Sequence, residues 1–252
     1  MFTRLVVFGN VVFWVTGVCE VVQHLPGLTV SAPVDDPLYK EQRLVSTRVK
    51  REKVTVALID GGVNADHEDL VANVIKGYNV ITHDDDTYDV DGHGTKMAGV
   101  RGATLNNSIG LAGVADLVNI MPISYGDSPS LKAATAAIDY VIRRRNIKII
   151  LFANSASETT RDFDAKVKEA DAAGILMVVA AGNDGRDITV NKRFPCSLTT
   201  HLKGMLCVTA TIGSSMRLDP RANFANYEDI AAPGVNILTT TITGGYGYAT
   251  GC

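Results

Sequence analysis

Val54-Thr55-Val56-Ala57-Leu58-Ile59 is a short, nearly all-apolar run with β-branched members, the pattern of a strand buried on both faces. Residues 147–152 and 175–181 repeat it. Between these two, residues 163–173 have helical composition and stop at Gly174, where a glycine suits the left-handed position that closes a helix. Upstream, Leu131, Ala134, Ile138, Val141 and Ile142 recur at helical spacing before Arg143-Arg144-Arg145-Asn146. Positive charge of that kind favours a helix C-terminus. Strands alternating with helices predict an α/β fold, a doubly wound and mostly parallel sheet with helices on both faces. In such sheets the chemistry lies beyond the carboxyl ends of the strands.

The chain of 252 residues suits one large domain. Apolar residues at 46%, charged residues at 20%, 23 Gly and 8 Pro are ordinary globular composition, which excludes a disordered tail, a collagen-like repeat or a disulfide-dense mini-protein. A net charge of −3 without a long basic run leaves no footprint for nucleic acid.

Residues 1–4 carry one positive charge, and residues 5–19 form a mostly apolar stretch that falls short of a membrane span of about 20 residues. The pattern predicts a signal peptide over 1–19, with Gly17 and Cys19 as its small residues, or else an uncleaved membrane anchor. Either sends the remainder into an oxidising compartment, so a secreted protein is expected, with no membrane contact beyond this segment. Cys196 and Cys207, close in sequence, are expected to form a disulfide there. Residues 20–51 end in Arg48-Val49-Lys50-Arg51 and read as a pro-segment, as in a zymogen, or as a solvated linker. The main domain then covers 52–252.

Three unusual sequences fall at strand ends or helix starts. Asp60-Gly61-Gly62 follows the first strand, Asp91-Gly92-His93-Gly94-Thr95 opens a helix, and Ala181-Gly182-Asn183-Asp184 follows the strand at 175. A carboxylate, an imidazole and an amide, each flanked by glycine, are three parts of an acyl-transfer site. The fourth part is a nucleophile.

With Val56 to Val63, Asp91 to Thr95 followed by Ala98-Gly99, Val179-Ala180-Ala181-Gly182-Asn183 and Asp229-Ile230-Ala231-Ala232-Pro233-Gly234-Val235, the chain resembles the subtilisin-like serine proteases (peptidase family S8) from about residue 54 to its last residue. The resemblance implies that His93 is the general base, that Asp60 holds its other ring nitrogen, and that Asn183 donates to the oxyanion. It implies peptide or protein substrates, lying along a wall that includes Ser155 and Ala156, and a monomer. Residues 150–157 match that wall poorly, so pocket specificity does not carry over. Residues 105–111 resemble the family's calcium loop, implying structural Ca2+ held by the side chains of Asp69 and Asn107 and the carbonyls of Leu105, Ile109 and Leu111. The acidic run Asp84-Asp85-Asp86, with Asp89 and Asp91, reads as a second metal site, a wall for basic substrate side chains, or a solvated loop.

The family's nucleophile opens a helix in a Gly-Thr-Ser-Met-Ala motif. Here the residues run Thr250-Gly251-Cys252 and stop, with Cys252 at the Thr position. The expectation is therefore a domain incomplete at its C-terminus, with the nucleophilic serine absent from these residues and this chain inactive alone. A Cys252 thiolate beside His93 is the chemical alternative. A secreted serine endopeptidase, an inactive subtilisin-like binding protein and a secreted calcium-binding module compete. Asp60, His93 and Asn183 together favour the first, since the other two need none of them.

Overall fold

The computed structural model describes residues 53–252 apart from 116, 128 and 216, together with the backbone of two N-terminal strands. Those strands, β1 (Val6–Phe8) and β2 (Val11–Phe13), pair antiparallel. The rest of the expected signal segment and the expected pro-segment lie outside the described residues.

The central sheet runs in the order β10 (Ile230–Pro233), β8 (Met205–Ile212), β7 (Leu176–Ala180), β6 (Ile149–Phe152), β3 (Val54–Asp60), β5 (Val118–Ser124), β4 (Tyr78–Asn79). All these pairings are parallel, and β9 (Arg217–Leu218) adds antiparallel to β8. The alternation of side chains along β3 explains the layers. Val56 and Leu58 join the cluster that includes Ala98 of α1 (His93–Gly102) on one face. Ala57 and Ile59 join Ala134, Ile138, Phe163 and Val167 from α2 (Leu131–Arg144) and α3 (Arg161–Ala172) on the other. The strand is apolar throughout because both of its faces are covered.

Local chemistry sets the helix ends. Ser130 accepts from Ala133 N at 3.1 Å and Thr160 from Phe163 N at 3.2 Å, so α3 starts two residues before the apolar pattern suggests. Gly174 closes it with a φ of 70°. Two elements were not legible as strands. β5 contains Pro122, normally a mark against an inner strand. Ile120 sends its N–H to Asn73 O and takes Ile75 N on its carbonyl, so the N of Pro122, two residues on, faces the same outer edge, where β4 has not yet begun. The missing N–H therefore breaks no ladder bond to β3. The hairpin of β11 (Ile237–Thr240) and β12 (Tyr246–Ala249) lies against α1, with Thr239 Oγ1 donating to Lys96 O at 2.6 Å and Thr240 Oγ1 to Thr95 O at 2.8 Å.

A disulfide joins Cys196 and Cys207, as their spacing suggested, with Cα atoms 5.1 Å apart. No described helix is long and apolar enough to cross a membrane.

Candidate active site

Asp60 ends β3 at the point where the strand order reverses, with β5 and β4 on one side and β6, β7, β8 and β10 on the other. This crevice is the usual ligand site of a doubly wound sheet. His93 is the first residue of α1. Its Nδ1 lies 2.8 Å from Asp60 Oδ2 and 3.0 Å from Oδ1. Asp60 is 2% exposed and takes the N–H of Gly61 at 2.8 Å as well. With Nδ1–H given to the carboxylate, Nε2 is the nitrogen left for acid–base work, and the imidazole is 40% exposed.

The glycines beside these residues have steric reasons. A Cβ on Gly94 would stand 1.9 Å from Gly62 O and 3.1 Å from Asp60 Cβ, so only glycine lets α1 come close enough for the His93–Asp60 contact. Gly62 has a φ of +151°, and a Cβ there would meet Tyr88 O at 2.4 Å.

Two aspartates that the sequence offered as part of an acidic run hold the start of α1. Buried Asp89 takes Gly92 N on Oδ1 at 3.0 Å, and Thr95 N and Oγ1 on Oδ2 at 2.8 and 2.5 Å. Asp91 takes His93 N at 2.7 Å. These carboxylates satisfy N–H groups that a helix start leaves open. The His93 pKa is raised above its ordinary 6.5, first by the Asp60 hydrogen bond and charge, then by Asp91 and Asp89, with burial acting against them. The remainder of the run behaves as a loop. Asp84 accepts from Thr82 Oγ1 and Asp86 N, and Asp85 pairs with Lys76 at the surface. Among the described residues no group of His, Cys, Asp or Glu is arranged to hold a metal.

On the other side of β6, two strand spacings or about 10 Å from the end of β3, Asn183 follows β7 and is exposed. Its Oδ1 accepts the N–H of Cys252 at 2.9 Å, which fixes the amide and turns its Nδ2 donor elsewhere. Cys252 Sγ lies 3.2 Å from Gly182 O and 4.0 Å from Thr209 Oγ1, and burial raises its thiol pKa. These contacts pack the partly buried sulfur against the core, as a protonated side chain rather than an activated thiolate.

Of the two expected wall residues, Ala156 commits its backbone to Phe194, by N–H to O at 2.9 Å and Phe194 N to its own O at 2.8 Å. Ser155 sits beside the β7 turn, its Oγ 2.8 Å from where a Cβ on Gly182 would be. In an extended segment the neighbours of Ala156 turn their backbone groups the opposite way. A peptide pairing with this wall would therefore meet Ser155.

The loop at 105–111 brings Asn107 Nδ2 to Asp69 Oδ1 at 2.9 Å and Leu111 N to Oδ2 at 2.9 Å. Asp69 is 0% exposed, and Asn106, Ser108 and Gly110 alternate in the left-handed region. Ile109 N donates to Asn107 Oδ1 at 3.0 Å. The buried Asp69 carboxylate, beside a loop that carries the Asn107 amide and the carbonyls of Leu105, Ile109 and Leu111, offers oxygen donors of the type a hard cation takes.

Sequence reasoning missed Asn223, which is 0% exposed and ties the turn at Asn183 together. Its Nδ2 donates to Ala181 O at 2.9 Å, while its Oδ1 accepts Asp184 N at 3.1 Å and Arg186 N at 2.9 Å. No local signal marks a residue that acts across 40 positions. Ser124 and Tyr125 were missed with β5. Ser124 Oγ donates to Gly61 O at 2.7 Å and Tyr125 N to Asp60 O at 3.0 Å.

The Subtilase family model matches residues 51–252. The chain is 31% identical over 201 residues to the thermophilic serine proteinase of Bacillus sp. (strain AK1), covering 78% of this chain and 47% of the relative. It is 34% identical over 191 residues to the thermostable alkaline protease of Halalkalibacterium halodurans, covering 73% and 48%. Among solved structures, that of a cold adapted subtilisin-like serine proteinase superposes with a TM-score of 0.68 at 26% identity, covering 86% of this chain and 77% of the other. The chain thus spans less than half the length of these two relatives. A family match over the whole described domain, and a fold shared with a solved subtilisin-like enzyme, establish that the chain belongs to the subtilase family.

Proposed function

We propose that the chain is the main part of the catalytic domain of a secreted serine endopeptidase, with residues 1–19 as signal peptide, 20–51 as pro-segment and 52–252 as the peptidase domain. The observation that carries this reading is the contact of 2.8 Å between His93 Nδ1 and the buried Asp60 carboxylate beneath a half-exposed imidazole. The proposed nucleophile is the serine hydroxyl of the family's Gly-Thr-Ser motif, whose first two positions are occupied here by Gly251 and Cys252. His93 Nε2 takes its proton as the hydroxyl attacks the scissile carbonyl, and Asp60 stabilises the imidazolium that forms. Asn183 Nδ2 donates to the oxyanion, and His93 returns the proton to the leaving amine. The disulfide supports an oxidising compartment.

Calcium would be held at the loop at 105–111 by Asp69, Asn107 and the three carbonyls, in place of the Asn107 Nδ2 hydrogen bond to Asp69, and would supply fixed positive charge beside a buried carboxylate. No catalytic step runs through it. Chelator should lower the melting temperature of the wild-type protein and leave Asn107→Ala unmoved.

The deciding experiment compares the 252-residue chain with a form that continues through the family serine. The longer form should hydrolyse a casein-type substrate and the shorter should not. Hydrolysis by the shorter chain that disappears in Cys252→Ala would overturn the serine mechanism. Peptide binding without hydrolysis by either would make this a binding protein.

A further inference from the structure

The wall beside Asn183 carries a cation that nothing in the acyl-transfer scheme uses. Three segments meet there. Residues 153–157 leave β6, Ala181-Gly182-Asn183-Asp184 leaves β7, and the stretch at 193–194 returns antiparallel along Ala156. The last of these is well anchored. Phe194 exchanges two backbone hydrogen bonds with Ala156, Arg193 O accepts Ser197 N at 2.8 Å, and the Cys196 disulfide ties the following turn to β8. Arg193 reaches from this anchored stretch to Asp184, the residue after Asn183, through Nη2. Its side chain is only 19% exposed, so the guanidinium lies against the wall instead of extending into water.

The charge balance at this point favours an anion. Asp184 is the one carboxylate that meets the Arg193 guanidinium among the described residues, and it is shared. It also takes Asn223 Nδ2 at 3.3 Å and feels the positive charge of Arg186. Arg193 has five N–H donors in a planar fork, and its Nε and Nη1 have no partner among the described residues. An apolar side chain entering here would cover these donors without replacing their hydrogen bonds. A carboxylate would take them in paired, charge-assisted bonds.

We propose that Arg193 is a specificity-determining residue, selecting peptides in which the residue that donates the scissile carbonyl is Glu or Asp. The assignment rests on the peptidase reading, since it takes Asn183 as the oxyanion donor and so places that residue's side chain along the wall of Ser155 and Arg193. Asp184 then acts as an internal competitor, holding the guanidinium until a substrate carboxylate displaces or joins it.

The test uses binding, so that it reads the wall independently of hydrolysis. The 252-residue chain is titrated calorimetrically with three N-acetyl tetrapeptide acids that differ only in a C-terminal Glu, Leu or Lys, with the His93 imidazole resonance reporting where they bind. The Glu peptide should bind at least about tenfold tighter than the Leu peptide, and the Lys peptide weakest, a factor in line with one charge-assisted pair. Arg193→Gln should erase the Glu advantage. Asp184→Asn should enlarge it, because the competitor is gone. A purely structural ion pair predicts something different, namely that both variants lower the melting temperature and alter all three peptides alike. Arg193→Lys, which keeps the charge and loses the fork, should retain part of the preference even where Arg193→Gln fails to fold. Equal binding of the three peptides with His93 still perturbed would sink the Arg193 assignment and leave the peptide cleft standing. Absence of any binding near His93 would sink both.

Discussion

The two banks of the cleft are built differently. On the β3–α1 bank, Asp60 and His93 are held by backbone contact that leaves no room for one methyl group at Gly94, and by carboxylates that cap the start of the helix. On the β7 bank, Asn183 stands in an exposed turn and Arg193 on a stretch pinned to Ala156, both positioned by side chains from elsewhere in the chain, Asn223 and Asp184 above all, and by a disulfide. Under the proposed mechanism the first bank serves every substrate alike, because proton transfer tolerates little misplacement. The second is where charge differs along the wall, and where substrate selection resides if Arg193 acts as proposed.

The comparison predicts unequal losses. In a form carrying the family serine, His93→Ala should lower kcat by about 10^6, while Asn183→Ala should lower it by about 10^2 to 10^3, the losses that the same changes cause in subtilisin. Steady-state kinetics on one peptide substrate would check the ratio. A smaller loss for His93 than for Asn183 would reverse the roles of the two banks.

Stability should divide the same way. Gly94→Ala forces a Cβ into the backbone carbonyl of Gly62, where no flexible side chain can yield. A destabilisation of about 3 kcal/mol is expected, with the His93 resonance shifted as the Asp60 contact opens. On the other bank, replacing Cys196 and Cys207 by serine opens a link across 11 positions. This should cost about 2 to 3 kcal/mol, mainly by freeing the unfolded chain. Urea titrations of both variants measure the pair. Equal loss of His93 geometry in the cysteine variant would show that the banks are not independent.

The Asp60–His93 bank was legible in the sequence because its constraints are local. Each functional residue follows a buried strand or opens a helix and stands beside the glycine that its own close contact requires. The β7 bank was only partly legible. Asn183 carried a motif, but Arg193 had no pattern around it, since its partner Asp184 is met only when the chain returns along Ala156. The same reason hid Asn223. β5 was obscured by Pro122, whose missing N–H is harmless only because of which edge it faces, and that is a property of register. The run of five aspartates divided into two capping residues and a surface loop because burial, invisible in composition, separates Asp89 from Asp84.

The smallest expected effect concerns Asp91, which touches the β3–α1 bank from its exposed rim. The His93 pKa stands above 6.5, chiefly through Asp60, with Asp91 and Asp89 adding to it. Asp91→Asn keeps an acceptor for His93 N and removes only the charge, so the His93 titration midpoint should fall toward 6.5 while the Nδ1–Asp60 contact remains. In the proposed mechanism the neutral imidazole is the base, so the acid limb of kcat/KM should move to lower pH in the variant. The stability linked to this histidine has the opposite sense. A raised folded pKa contributes fully below 6.5 and is lost as pH rises through the folded midpoint, so the variant should lose a little stability at acid pH and none above that midpoint. Proton NMR titration of both proteins reads the midpoint directly. Repeating it in about 1 M salt should shrink the difference, because an exposed carboxylate is screened over a Debye length of about 3 Å. A midpoint that stays put at low salt would remove Asp91 from the sources of the shift and leave Asp60 and Asp89.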